Sequence, residues 1–194
     1  MIRIAILASG SGTNAQRLME HFGASTKAEM ALVACDQPKA GVLQRAWDHG
    51  VPCYMFGATE LADGTLLREL EGAGIDLLIL AGFMRLLPAT LVQTWPDRIL
   101  NIHPSLLPKY GGKGMYGDHV HSAVLAAGEK QSGITIHVVN ERYDEGRVLF
   151  QVECPVMPGD DVEALAARIH ALEHAHYPEV VEGFLNDMAV RTRE

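Results

Sequence analysis

The chain has 194 residues, 48% hydrophobic and 21% charged, with a formal net charge of −8. That length suits one domain, residues 1–194, with a sizeable core. The acidic balance excludes a protein built for non-specific nucleic-acid binding, and no apolar run approaches membrane-spanning length. Cys35, Cys53 and Cys154 are widely spaced with no zinc pattern, which predicts reduced, mostly buried strand thiols. The apolar N-terminal segment runs straight into a glycine loop, without the basic stretch and cleavage site of a leader, so the expected location is cytoplasmic.

Residues 2–8 are β-rich and nearly all apolar, the mark of a buried parallel strand. Ser9-Gly10-Ser11-Gly12-Thr13-Asn14 follows, and residues 15–22 read as a helix with Leu18, Met19 and Phe22 on one face. A glycine loop opening a helix presents free N–H groups to a phosphate, while a plain tight turn with Asn14 as N-cap is the simpler alternative. Residues 30–35 predict a second strand, 40–49 a helix closed by Gly50, and 51–56 a third strand. Residues 61–71 read as one surface helix, and 75–81 as a central strand emptying into Gly82-Phe83-Met84-Arg85-Leu86-Leu87. Pro88 starts a short helix to about Trp95.

A strand ending at Ile99-Leu100 leads into Asn101-Ile102-His103-Pro104-Ser105-Leu106-Leu107-Pro108. Residues 110–117 form a glycine-rich loop of the kind found beside sites. His119 and His121 lie on a helix over 119–127, where positions two apart do not face each other, so no metal site is predicted. Residues 133–139 and 147–156 are strands joined by a short loop containing Asp144, and must pair antiparallel. Asp161 is the N-cap candidate of a long helix from Val162, kinked or divided by Pro178 and frayed from about Asp187. The alternation predicts an α/β fold: a Rossmann-like mixed, mostly parallel sheet with helices on both faces and a long C-terminal helix.

Open α/β sheets place chemistry at the carboxyl ends of strands. There Asn101 can donate to a developing oxyanion, and His103, kept extended by Pro104, can move a proton near neutral pH. Asp144 near His103 would raise the imidazole pKa by stabilising its charged form. With no G-x-S-x-G elbow and no paired cysteine in sight, direct attack by a substrate amine, as in acyl or formyl transfer, fits better than a covalent enzyme intermediate. The letters Gly10-x-Gly12-x-x-Ala15, with Asp36 after the second strand, also fit a dinucleotide fingerprint, but that reading leaves Asn101, His103 and Asp144 without a role.

The glycine loop, residues 81–87, Asn101 through Tyr110 and His137 through Gly146 occur in the order found in the phosphoribosylglycinamide formyltransferases. Over nearly its whole length the chain resembles that family's bacterial single-domain type. The resemblance implies transfer of a formyl group from the co-substrate 10-formyltetrahydrofolate to the amine of glycinamide ribonucleotide in purine synthesis, without a metal. It implies Asn101 as oxyanion donor, His103 as general acid, and Asp144 as the group that holds His103 protonated and helps relay the amine proton. Gly12, Thr13 and Asn14 match the phosphate loop, and Glu173 a substrate-contacting carboxylate. Met84, Arg85, Leu86 and Leu87, with Asn101, Asn140 and Glu141, match the folate side. The implied partners are these two small molecules, with no nucleic acid or membrane, and the chain as a monomer or homodimer. The hydrolases and methionyl-tRNA formyltransferases that share the fold carry additional domains, which this sequence does not show. The loop after Tyr110 is longer than in typical members, His170 stands where some carry Lys, and no counterpart of a folate-binding Arg is found around Thr59.

Overall fold

A computed structural model describes residues 1–191. Five strands run parallel: β1 (Ile2–Ala8), β2 (Ala28–Cys35), β3 (Cys53–Met55), β4 (Leu77–Leu80) and β5 (Ile99–His103). β6 (Gln131–Val138) and β7 (Val148–Pro155) extend the sheet antiparallel, in the order β3-β2-β1-β4-β5-β6-β7. The order reverses beside β1, whose neighbours are β2 and β4, so a crevice opens where the loops leaving β1 and β4 diverge. The wholly buried run of β4 and the buried residues 4–8 of β1 explain why those strands read as continuous apolar segments.

Helices cover both faces: α1 (Thr13–Phe22), α2 (Gly41–Asp48), α3 (Ala58–Ala62), α4 (Thr65–Gly72), α5 (Ala89–Thr94), α6 (Asp118–Ala126) and α7 (Val162–Arg191). One apolar cluster packs β1, β4, β5 and β6 against α1, α2, α6 and α7. A second packs the opposite face against α3, α4 and α5.

Three expectations change, and one alternative falls away. The single helix over 61–71 is two, because Gly64 sits at φ +79°, a left-handed conformation that stops one helix and admits the next. Cys53 is exposed on the edge strand β3, whereas Cys35 and Cys154 are buried; all three are free thiols. Pro178 lies within α7 without dividing it, and the helix runs past Asp187 to Arg191; the remainder of the expected frayed end lies outside the described residues. Asn14 is not an N-cap: Gly12 takes that position, with α1 starting at Thr13. Asp161 does cap α7, its Oδ1 accepting from the Ala164 N–H at 2.8 Å.

Tyr177 fixes α7 to the sheet. Its ring is 1% exposed, and its hydroxyl donates to the carbonyl of Leu80 at 2.9 Å, with the Leu100 carbonyl at 3.4 Å. Tyr177→Phe is expected to lower stability by about 1 kcal/mol, read as a lower urea midpoint at unchanged m. An unchanged midpoint would show that these bonds contribute nothing net.

Candidate active site

The loop leaving β1 turns through Gly12 at φ +77°, where an added Cβ would stand 2.5 Å from the Val42 Cβ on α2. Only glycine fits, because both the backbone conformation and the contact with α2 exclude a side chain. Thr13 and Asn14 therefore open α1 with the unpaired N–H groups of a first helical turn, and that turn holds no acidic residue. The Asn14 amide donates to Glu173 on α7 at 2.9 Å. Glu173 is buried, and that burial pushes its carboxyl above the usual range, against the opposing pull of Asn14 and His170. Gly12→Ala is expected to cost about 1–3 kcal/mol by denaturant unfolding. A wild-type midpoint would contradict the tight fit against Val42.

The centre of the crevice is built by the antiparallel pairing of β5 and β6, which sets Asn101 opposite His137 and His103 opposite Thr135. The His137 Nδ1 lies 3.1 Å from the Val138 carbonyl. A carbonyl only accepts, so Nδ1 carries the proton and Nε2 accepts from the Asn101 amide at 3.1 Å. The second Asn101 N–H reaches only 3.5 Å from the Asp144 Oδ1, which leaves it for a substrate oxygen. Asp144 lies in the loop after β6 with φ +55°. Its Oδ2 accepts from the Gly112 N–H at 2.8 Å and stands 3.6 Å from the His103 Nδ1, while its Oδ1 stands 3.6 Å from the His137 Nε2. The His103 Nε2 donates to the Tyr110 carbonyl at 2.8 Å, and Tyr110 is itself at φ +56°. Two non-glycine residues in left-handed backbone thus meet at one histidine, as strained residues do at functional sites.

Burial dominates the electrostatics of His103 and pushes its pKa below the usual value, although Asp144 and the Tyr110 carbonyl act to raise it. This corrects the expectation that Asp144 leaves His103 with a raised pKa. Burial would also raise Asp144, but His103 and the Gly112 N–H act against it, and the carboxylate is held below its usual range.

The whole cavity is about 270 Å³, and residues 80–87 and residues 139, 140 and 142–144 line the rest of it. Met84 and Leu86 are exposed, Leu87 is buried, and Arg85 binds Asp36. Asn140 lines the cavity and accepts from the Arg142 N–H at 2.9 Å. Glu141 is not among the lining residues: it is exposed and accepts from Gln93 on α5 at 2.8 Å. The glycine-rich loop contributes residues 112 and 114–117. Its start is anchored by Lys109 and Tyr110, which both donate to Glu129, at 2.8 and 3.0 Å.

Asn101, His103, Asp144, Gly12, Thr13, Asn14 and Glu173 therefore converge on one cavity, with Asn140 and residues 84–87. His137 joins the site only through strand pairing, which sets its register against Asn101, and the Tyr110 carbonyl and the Gly112 N–H join it as backbone groups that no residue type announces. The H-x-H pair splits: His119 packs edge-on against Tyr116, and His121 is buried and lines the cavity. Among the described residues no cluster of three or more His, Cys, Asp or Glu is arranged to hold a metal, and no helix is long and apolar enough to cross a membrane.

The model of the family described as formyl transferase matches residues 2–181. The phosphoribosylglycinamide formyltransferase of Bacillus subtilis is 34% identical over 191 residues, 95% of this chain and 95% of that protein. The trifunctional purine biosynthetic protein adenosine-3 of Drosophila melanogaster is 40% identical over 99% of this chain, which spans only 14% of that longer protein. Among solved structures, glycinamide ribonucleotide transformylase 1 from Geobacillus kaustophilus aligns with a TM-score of 0.87 at 40% identity, covering 95% of this chain and 99% of that one.

Proposed function

The chain belongs to the phosphoribosylglycinamide formyltransferases of the formyl transferase family, and we propose how its site moves a formyl group from 10-formyltetrahydrofolate to the amine of glycinamide ribonucleotide. The observation that carries the proposal is the meeting of Asn101, His103, His137 and Asp144, joined by contacts of 3.1–3.6 Å, in the one cavity that the α1 N-terminus and residues 84–87 also line.

The ribonucleotide phosphate sits on the N–H groups of Thr13 and Asn14, below Gly12. Glu173, buried against Asn14, contacts the same substrate. Met84, Leu86 and Leu87 offer an apolar surface to a flat heteroaromatic ring, with Asn140 supplying polar contacts opposite. The folate supplies the formyl carbon and its N10 as leaving group.

Attack by the amine forms the new N–C bond and moves the carbonyl electron pair onto oxygen, where the free Asn101 N–H stabilises it. The amine must lose one proton and N10 must gain one as its C–N bond breaks, so the reaction is proton-neutral. A His103 with a depressed pKa suits that exchange: it takes the proton as base and returns it as acid. Asp144 stabilises the imidazolium between those events, through its contact with Nδ1 and by water relay. The general-acid role expected of His103 is retained, and the proton it delivers comes from the amine. Residues 1–194 act as one domain, as a monomer or homodimer in the cytoplasm, on two small molecules and without a metal.

Purified protein given both substrates is expected to form formylglycinamide ribonucleotide, with little folate turnover when the amine is withheld. Equal deformylation with and without the amine would overturn transfer in favour of hydrolysis.

A further inference from the structure

Residues 81–87 have no regular secondary structure between β4 and α5, yet they form a wall of the cavity. Something other than a helix or strand must hold them. Gly82 turns the chain at φ +73°, and its carbonyl accepts from the Ser9 N–H at 3.0 Å. The Met84 N–H donates to the Ser9 hydroxyl at 3.3 Å. The Arg85 Nε donates to the Asp36 Oδ2 at 2.5 Å, across 49 positions of sequence. The Asp36 side chain is 2% exposed and Arg85 39%. Asp36 also accepts from the Gln37 amide at 3.3 Å. Burial would raise the Asp36 carboxyl, but the Ser9 hydroxyl, Arg85 and Gln37 hold it below its usual range, so it is charged at neutral pH.

Arg85 occupies a particular place. It lines the catalytic cavity and also a second, open groove formed by residues 9–11 and 36–41. Gly10, Ser11 and Met84 line both as well, so the Asp36–Arg85 pair sits where the two meet. Asp36 is also the acid that matched the dinucleotide fingerprint: in such a fold its carboxylate would face ribose hydroxyls, whereas here it is taken by a guanidinium.

We propose that Asp36 is a positioning residue for the formyl donor: its carboxylate fixes Arg85 and, with Ser9, sets the 83–87 wall against which the folate lies. This rests on the reading of that wall as the donor side. Asp36 meets the glycine loop at Ser9 and has no hydrogen bond to Gly12, Thr13 or Asn14 or to Asn101, His103 and Asp144, so its effect is expected to fall mainly on the donor. Removing the charge leaves Arg85 without its buried partner, and the wall loses its one charged tether.

The test uses wild type, Asp36→Asn, Arg85→Gln and the double variant, with KM and kcat measured for each substrate and Kd for 10-formyltetrahydrofolate by calorimetry. Each single variant is expected to raise the donor KM and Kd by about 5- to 20-fold. The KM for glycinamide ribonucleotide and kcat are expected to stay within about twofold, since ground-state donor contacts alone are weakened. The double variant is expected to be no worse than the weaker single, as for two ends of one contact. An unchanged donor Kd in Asp36→Asn, equal rises in both KM values, or multiplicative effects in the double variant would each overturn the clamp. Should Asp36→Asn not fold, Asp36→Ser, which also removes the charge, decides by the same readouts. A wild type that binds the folate yet transfers no formyl group would strike the functional reading, while the Kd comparison still decides the clamp; a wild type that does not bind the folate would overturn both.

Discussion

Asn101→Ala is expected to lower kcat by about 10²- to 10³-fold, as loss of an oxyanion donor does, with both KM values little changed. The Asn101 amide is already oriented before substrate arrives, because His137 Nε2 takes one of its N–H groups at 3.1 Å. His137 can accept only because its Nδ1 faces the Val138 carbonyl at 3.1 Å. The remaining N–H is therefore aimed by the sheet itself, through the register that pairs residue 101 with 137. A donor fixed in this way stabilises charge without reorganising at the moment of reaction. Alanine removes the donor, and a water in its place would have to be ordered at the moment of reaction. Single-turnover rates at saturating substrates separate this from product release. A wild-type single-turnover rate would place the oxyanion elsewhere.

The sheet was legible in the sequence because its strands are short apolar runs closed by glycine, proline or polar residues, and such runs have one physical use at that length. The late antiparallel pair was legible from loop length alone. What could not be read was local backbone geometry. Residues 61–71 carry a helical pattern throughout, and only the left-handed φ of Gly64 shows that the chain stops and restarts. Asn14 has the chemistry of an N-cap, yet the left-handed Gly12 takes that place and frees the amide for Glu173, 159 residues away. The convergence of Asn101, His103 and Asp144 was legible as residue types, and their roles from the resemblance. The surrounding parts were not: Gly112 and Tyr110 act through backbone atoms that every residue has, and the Asp36–Arg85 pair joins two loops that are neighbours only after the sheet has reversed its order at β1. The net direction of the His103 pKa is hidden from the sequence for a related reason. A neighbouring carboxylate can be guessed from sequence, but the extent of burial, with 4% of the residue exposed, comes only from the packed fold, and here burial is the larger effect.

Asp144→Asn tests that balance. Asp144 is held below the usual carboxylate range, so at neutral pH it is charged, and the substitution removes a full negative charge 3.6 Å from the His103 Nδ1. Of the two main influences on His103, burial lowers its pKa and Asp144 raises it. With the second gone, the His103 pKa moves further down from an already depressed value. Two consequences follow with defined signs. If neutral His103 must take the amine proton, activity falls in acid as His103 becomes protonated beforehand, and in Asp144→Asn that acid limb shifts to lower pH. The imidazolium formed during turnover also loses its counter-charge, so the plateau rate drops by about 10²-fold or more, the scale of a disabled acid–base group. Asparagine preserves shape and can still accept from the Gly112 N–H, so loss of loop position does not account for the change. Titration of the His103 ring by NMR, alongside the kcat profile, reads both effects. An unchanged His103 pKa would reject the coupling outright. A reduced plateau with an unmoved acid limb would mean that Asp144 serves the reaction through its water relay and not through the charge it places beside His103.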